Sequence, residues 1–169
     1  MTHITVKMAG PDDVPAIADI IEKVSDGPQE GHTAGAEEET FIRAHIGGNG
    51  FTFLAECDGS GVGFLVVHIP SEQEENLGRA AGLPDKELPY TAHMEAVAVL
   101  PEYRGHGIQR MLMMEAEKEL RRRGFRYAAG MISPSDPYSM ENCVKMGYMT
   151  VAAGKTEDGL TGNIVFRRL

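Results

Sequence analysis

The 169-residue sequence predicts a single α/β domain with elements in the order βααββ, an insertion, then βαβαββ. Three observations carry that reading. A short apolar run, Ala96 to Leu100, is followed by Pro101, by Arg104, Gly105 and Gly107, and then by an amphipathic segment; this is the order of a buried strand, a tight turn and a helix. Two β-rich runs, Phe51 to Cys57 and Val62 to Ile69, flank Asp58-Gly59-Ser60-Gly61, a hairpin signal whose residues tolerate positive φ. The chain is also long enough for one ordinary core, and its 42% hydrophobic and 24% charged content is that of a soluble globular protein.

Each element has a local reason. His3 to Ala9 alternates Ile4, Val6 and Met8 with polar neighbours and reads as a strand. Gly10-Pro11-Asp12-Asp13 opens a helix with the stripe Val14, Ile17, Ala18, Ile21 and Val24. Asp26 to Gly35 reads as a loop, and Ala36 to Ile46 as a second helix with Phe41, Ile42 and His45 at helical spacing. Ser71 to Tyr90 is long for a connection and reads as one or two short helices, placed as a lid over an acceptor site or as a dimer contact. The helix after Gly107 carries Ile108, Met111, Leu112, Ala116 and Leu120 on one face, and Arg121 to Arg123 with Gly124 suit its C-terminal end. Arg126 to Ile132 is a strand, Tyr138 to Met146 a helix, and Tyr148 to Ala153 and Asn163 to Arg168 the last two strands, joined by a turn at Glu157 to Gly162.

Composition excludes several classes. A net charge of −9 argues against nucleic acid as a partner, because phosphate binding needs a basic surface. No apolar run approaches the length of a membrane span, and no signal-peptide core opens the chain, so no membrane partner and a cytoplasmic location are expected. Cys57 and Cys143 form no close pair and read as free thiols, and the six histidines show no metal-ligand spacing, so no metal is expected.

A strand that turns through glycines into a helix makes an anion site. First-turn N–H groups have no intrahelical partner, and the helix dipole places positive charge there. Gly105 and Gly107 let a ligand approach the backbone, and Arg104 adds a planar cation. The segment predicts a diphosphate cradle. The Gly-Lys-Ser/Thr ending of a Walker loop is absent, and the three spaced glycines of a dinucleotide motif are not met.

Val-Ala-Val-Leu-Pro-Glu-Tyr-Arg-Gly-His-Gly-Ile, residues 97 to 108, resembles the acetyl-CoA motif of the GNAT superfamily of N-acetyltransferases. That pattern is Arg/Gln-x-x-Gly-x-Gly/Ala after a strand ending in Val-x-Pro. Arg104 and Gly107 match, and Gln109 departs from the last position. The resemblance is strongest from Glu95 to Tyr148. It implies a GNAT-like fold, a mixed central sheet of about six to seven strands flanked by helices, in the order already read. Acetyl-CoA is the implied co-substrate, and a homodimer is common in the family.

The family's next motif resembles Asn-x-x-Ala/Ser-x-x-x-Tyr/Phe-x-x-x-Gly-Phe/Tyr, and Asp136, Ser139, Cys143, Gly147 and Tyr148 fall on its frame. Cys143 stands where many relatives carry a tyrosine that protonates the departing thiolate. Cys143, Tyr138 one helical turn earlier, and solvent are the candidate proton donors. Asp136 replaces the usual asparagine and would cap the helix equally well.

The resemblance further implies that the pantetheine arm runs beside Val97, Ala98 and Val99 in a cleft between that strand and the one at Arg126 to Ile132. The diphosphate would then rest on the N–H groups from Arg104 through Gly105, His106, Gly107, Ile108 and Gln109 to Arg110. A neutral amine would attack the thioester directly, with a backbone N–H near Val97 at the oxyanion. Glu95 shares strand parity with Val97 and Val99 and is the candidate base, its pKa expected to rise by desolvation on an apolar strand. His93 is the second candidate. The reading from these features is an acetyltransferase acting on a primary amine of a small molecule or peptide. The alternative is a non-catalytic acetyl-CoA-binding or regulatory module, which the missing tyrosine favours and Glu95 disfavours.

Overall fold

The computed structural model describes residues 3–25, 36–155 and 161–169. Seven strands form a mixed sheet flanked by helices, as the resemblance implies, and their spatial order is β1-β2-β3-β4-β5-β7-β6. The strands are β1 (Ile4–Met8), β2 (Gly50–Cys57), β3 (Ser60–His68), β4 (Thr91–Val99), β5 (Tyr127–Ile132), β6 (Met149–Lys155) and β7 (Thr161–Arg168). The helices are α1 (Val14–Val24), α2 (Ala36–Ala44), α3 (Ile108–Arg122) and α4 (Pro137–Lys145). The chain divides into two compact units, Met1–Val67 with Ala96–Ala116, and His68–Glu95 with Glu117–Leu169. β4 and α3 each run through the division.

In the first unit β1 pairs antiparallel with β2, from Ile4↔Cys57 to Met8↔Phe53. β2 and β3 are joined at Asp58 and Gly59, both at positive φ (50° and 85°), as the hairpin signal required. Both strands are buried along most of their length, including Phe51, Leu54, Phe64 and Leu65. Val14 and Ile17 of α1 are buried as expected, but Ile20 is fully buried while Ile21 is half-buried. The stripe of α1 therefore keeps its first two positions and takes Ile20 in place of Ile21. α2 ends at Ala44 rather than Ile46, with Ile42 and His45 buried.

In the second unit β4 pairs parallel with β5 through Thr91↔Tyr127, Ala92↔Ala128 and His93↔Ala129. β7 pairs antiparallel with both β5 and β6. The Ser71 to Tyr90 segment holds two 3₁₀ turns, Leu77–Arg79 and Asp85–Tyr90. Buried Asn76 organises it: its side-chain oxygen accepts from the Gly78 N–H at 2.9 Å, and its amide donates to the Leu88 carbonyl at 3.0 Å. Glu87 accepts from Arg126 and from the Tyr127 hydroxyl, which pins the second turn to the start of β5. At the end of α3, Arg122 and Arg123 both bond Glu119 and hold its carboxyl down at about 2, and Gly124 takes φ 89°.

β4 begins at Thr91, five residues before the apolar run that announced it. Thr91, Ala92 and His93 are buried, whereas Ala96, Val97 and Ala98 are only half-buried. The expectation of a run covered on both faces holds at Val99 and Leu100 alone. The predicted loop at residues 26–35 and the turn at 157–160 lie outside the described residues.

Candidate active site

In the first unit the end of β4 leads through a 3₁₀ turn, Pro101–Tyr103, into α3. The Leu100 N–H donates to the Val62 carbonyl at 2.8 Å and fixes where the strand stops. The Arg104 Nε donates to the Val99 carbonyl at 3.2 Å, so its guanidinium is anchored at the strand's end. Gly105 and Gly107 have φ 83° and 78°, left-handed values that suit glycine. The Gly107 carbonyl accepts from the Met111 N–H at 3.0 Å, closing the first turn of α3. Ile108 is buried and locks that turn onto the core, and the Gln109 side chain is also buried, at 4% exposure. The exposed residues of the turn are Arg104, Gly105, His106 and Arg110. His106 sits with Nδ1 at 3.1 Å from the carbonyls of both Tyr103 and Arg104. The helix's N-terminal N–H groups and its dipole make this turn able to hold an anion.

In the second unit a cavity of about 890 Å³ is lined by His68, Glu74, Glu75, Leu77, His93 and Glu95, with Met94, Gly130, Met131 and Lys155. His93 is buried, and burial pushes its imidazole down to about 4, the neighbouring His68 adding to the effect and Glu74 opposing it. Its Nε2 accepts the Leu77 N–H at 3.1 Å, and its Nδ1 lies 4.0 Å from Glu95 Oε2. The His68 ring lies 6.2 Å from that of His93, and His68 Nε2 bonds Glu74. Ser71 also donates to Glu74 at 3.3 Å. The Glu95 side chain is 42% exposed, so the desolvation expected on an apolar strand is not provided there. The half-buried residues that follow on β4 leave the carboxylate at a wet edge.

α4 carries the remaining candidates. Asp136 is its N-cap and accepts from the Ser139 N–H at 3.0 Å, the capping role read from the sequence. That oxygen is spent on the helix. Tyr138 is half-buried. Cys143 is a buried free thiol, pushed up to about 11 by burial, with the carboxylates of Asp136 and Glu117 adding to the shift. Behind α4 lies a group the sequence reading missed. Glu117 on α3 is 1% exposed, accepts the Tyr148 hydroxyl at 2.9 Å and binds Arg167 at 2.6 Å, while Arg121 reaches it at 3.7 Å. Burial, with the Glu117 carboxylate beside it, holds the Tyr148 hydroxyl protonated well beyond its ordinary range. Of this group the sequence singled out Tyr148 alone, on the motif's aromatic position.

Among the described residues no group of three or more side chains could hold a metal ion, and no helix is long and apolar enough to cross a membrane.

A glycine turn feeding a helix from a parallel-paired strand of a mixed sheet is an arrangement able to hold a phosphate group. The sequence model of the acetyltransferase (GNAT) family matches residues 17–148, and the chain belongs to that family. It is therefore an acetyltransferase, of a family whose donor is acetyl-CoA. No curated protein matches it significantly. Among solved structures it is similar to an N-acetyltransferase from Staphylococcus aureus Mu50, with a TM-score of 0.74 and 18% identity over 98% of each chain. It is similar to the ribosomal-protein-S18-alanine N-acetyltransferase from Escherichia coli, with a TM-score of 0.72 and 18% identity over 98% of this chain and 94% of that one. It is also similar to the PaiA N-acetyltransferase from Thermoplasma acidophilum in complex with coenzyme A, with a TM-score of 0.70 and 13% identity over 99% of each chain. At these identities the likeness is one of fold.

Proposed function

We propose that this enzyme transfers an acetyl group from acetyl-CoA to a primary amine of a small molecule or peptide, by direct attack in a ternary complex, with the whole chain acting as one catalytic domain. The observation that carries the donor half is the left-handed pair Gly105 and Gly107 at the head of α3, in a chain of this family. The diphosphate rests on the turn from Arg104 to Arg110, and the pantetheine arm bonds the backbone of Val97 to Val99. Gln109, which departs from the motif, is buried.

The acceptor half is supported by the cavity beside Glu95. Glu74, Glu75 and Glu95 bring three carboxylates to it against Lys155, a balance that favours a cationic amine. The amine arrives as an ammonium, and Glu95 takes one proton, directly or through water. The freed nitrogen attacks the thioester carbonyl and forms the N–C bond, while the backbone N–H near Val97 meets the oxyanion. As the C–S bond breaks, the nitrogen gives its second proton to water and the departing thiolate takes one from a proton donor, leaving as a thiol. The Cys143 thiol is buried and pushed up to about 11, above the ordinary thiol value of about 8.5, which makes it a poor proton donor. Tyr138 and solvent remain. Asp136 contributes by holding the start of α4.

Calorimetric titration with acetyl-CoA tests the donor half, with ATP and NAD as controls. Selective binding followed by CoA release with cationic amines is expected. A folded sample that binds none of the three would overturn the reading.

A further inference from the structure

We propose that His93 is a positioning residue for Glu95 and that the Ser71 to Tyr90 insertion sets it, through a single backbone hydrogen bond from Leu77. The inference rests on the reading of Glu95 as the base. The Leu77 N–H can only donate, so His93 Nε2 must accept, and the imidazole carries its proton on Nδ1. Nδ1 is the atom that faces Glu95 Oε2, at 4.0 Å. A neutral ring with its N–H toward the carboxylate can orient Glu95 without neutralising it. The gap is longer than a hydrogen bond, as is common for catalytic contacts before substrate is in place.

Burial supports the arrangement: the His93 side chain is 7% exposed, and its pairing with Ala129 holds the backbone beneath it. The charged and titratable groups around it are His68 at the end of β3, Glu74 and Glu75 of the insertion, Glu95 on its own strand, and Lys155 on β6. The His68–Glu74 pair closes the ring's other side. The insertion thus acts as more than a cover, because it selects one of two imidazole tautomers and so the atom offered to the base.

Leu77 lends itself to a backbone test. It is the first residue of its 3₁₀ turn, where proline is favoured, and Asn76 before it has φ −116° and ψ 119°, which proline tolerates in its predecessor. L77P removes the donor N–H; L77A removes the side chain and keeps it. The pH profile of kcat and the KM values are measured for the full-length enzyme and for L77P, L77A, H93L, H93Q and E95Q. Turnover in L77P is expected about tenfold or more below that in L77A, from the loss of one hydrogen bond to the ring, with acetyl-CoA KM unchanged. H93L is expected to fall by about the same factor, and H93Q, which can accept and donate at once, to recover most of it.

Equal turnover in L77P and L77A, or in H93L and H93Q, with E95Q inactive, overturns the proposal and leaves the base assignment standing. Wild-type turnover in E95Q overturns the base assignment, and the proposal with it. The nitrogen-15 spectrum of the His93 ring in the unliganded protein decides independently of turnover: protonation at Nδ1 is expected, and protonation at Nε2 overturns the proposal. If L77P fails to fold, the H93L and H93Q pair and the spectrum carry the test.

Discussion

The glycine turn of the first unit and the imidazole–carboxylate cavity of the second are built by opposite means. The turn is made of residues within one stretch, Val97 to Arg110, and depends on backbone shape: two left-handed glycines, a strand stop and a helix start. The cavity gathers side chains from positions 68 to 155 and depends on which atom of each faces which neighbour. A backbone device survives large changes in its side chains, as the departure at Gln109 illustrates. A side-chain device is tuned by single hydrogen bonds. Donor binding in this enzyme should therefore be tolerant and base chemistry brittle.

The largest expected effect is on the brittle side. Glu95→Gln should lower kcat on the order of 10²- to 10³-fold, as loss of a general base does, with little change in acetyl-CoA affinity. Steady-state kinetics with calorimetry checks both, and a parallel loss of affinity would erase the contrast between the two sites. Next is the cost of burying His93 neutral. Its folded pKa, about 4, lies below its ordinary 6.5, so the unfolded chain binds more protons between these values. Stability is complete above pH 6.5 and is lost as pH falls toward 4, by up to about 3 kcal/mol. Denaturant melts from pH 7 to 4 should show a flatter profile for His93→Gln than for the parent.

On the tolerant side, Gly107→Val should weaken acetyl-CoA binding about tenfold through backbone strain, because a branched residue at φ 78° costs about 1–2 kcal/mol. A Cβ there would meet only the Arg110 guanidinium, at 3.8 Å, so crowding within the protein is not the cause. Gly107→Asn, which tolerates left-handed φ, should bind better than the valine variant. The smallest effect is expected at Cys143→Ala, with turnover changed less than about threefold, against a larger fall in Tyr138→Phe if that hydroxyl protonates the thiolate.

The same division decides what could be read in the chain. Arg104, Gly105 and Gly107 announce themselves because a turn is encoded by neighbours, and the hairpin at Asp58 and Gly59 was legible for the same reason. The strand in front of Glu95 was read too short because Thr91 and His93 are polar, and period-two logic treats buried polar residues as a strand's end. His93 is buried, and the hydrogen bond that serves it there comes from Leu77, sixteen positions earlier. Nothing near Glu117 in the chain announces its burial, because its partners, Tyr148 and Arg167, lie 31 and 50 positions away. The place of β7 between β5 and β6 is likewise a matter of pairing, which no local pattern records.

The Arg167–Glu117 bond also has a consequence for the order in which the protein is made. Glu117 is synthesised fifty residues ahead of Arg167, and the earlier of its two basic partners, Arg121, is the more distant, at 3.7 Å. A buried carboxylate without its partner is costly, so α3 cannot settle with Glu117 inside before the last strand is synthesised. The C-terminal half of that helix is thereby timed by the synthesis of Arg167, and a nascent chain stalled before that residue keeps this part of its core open.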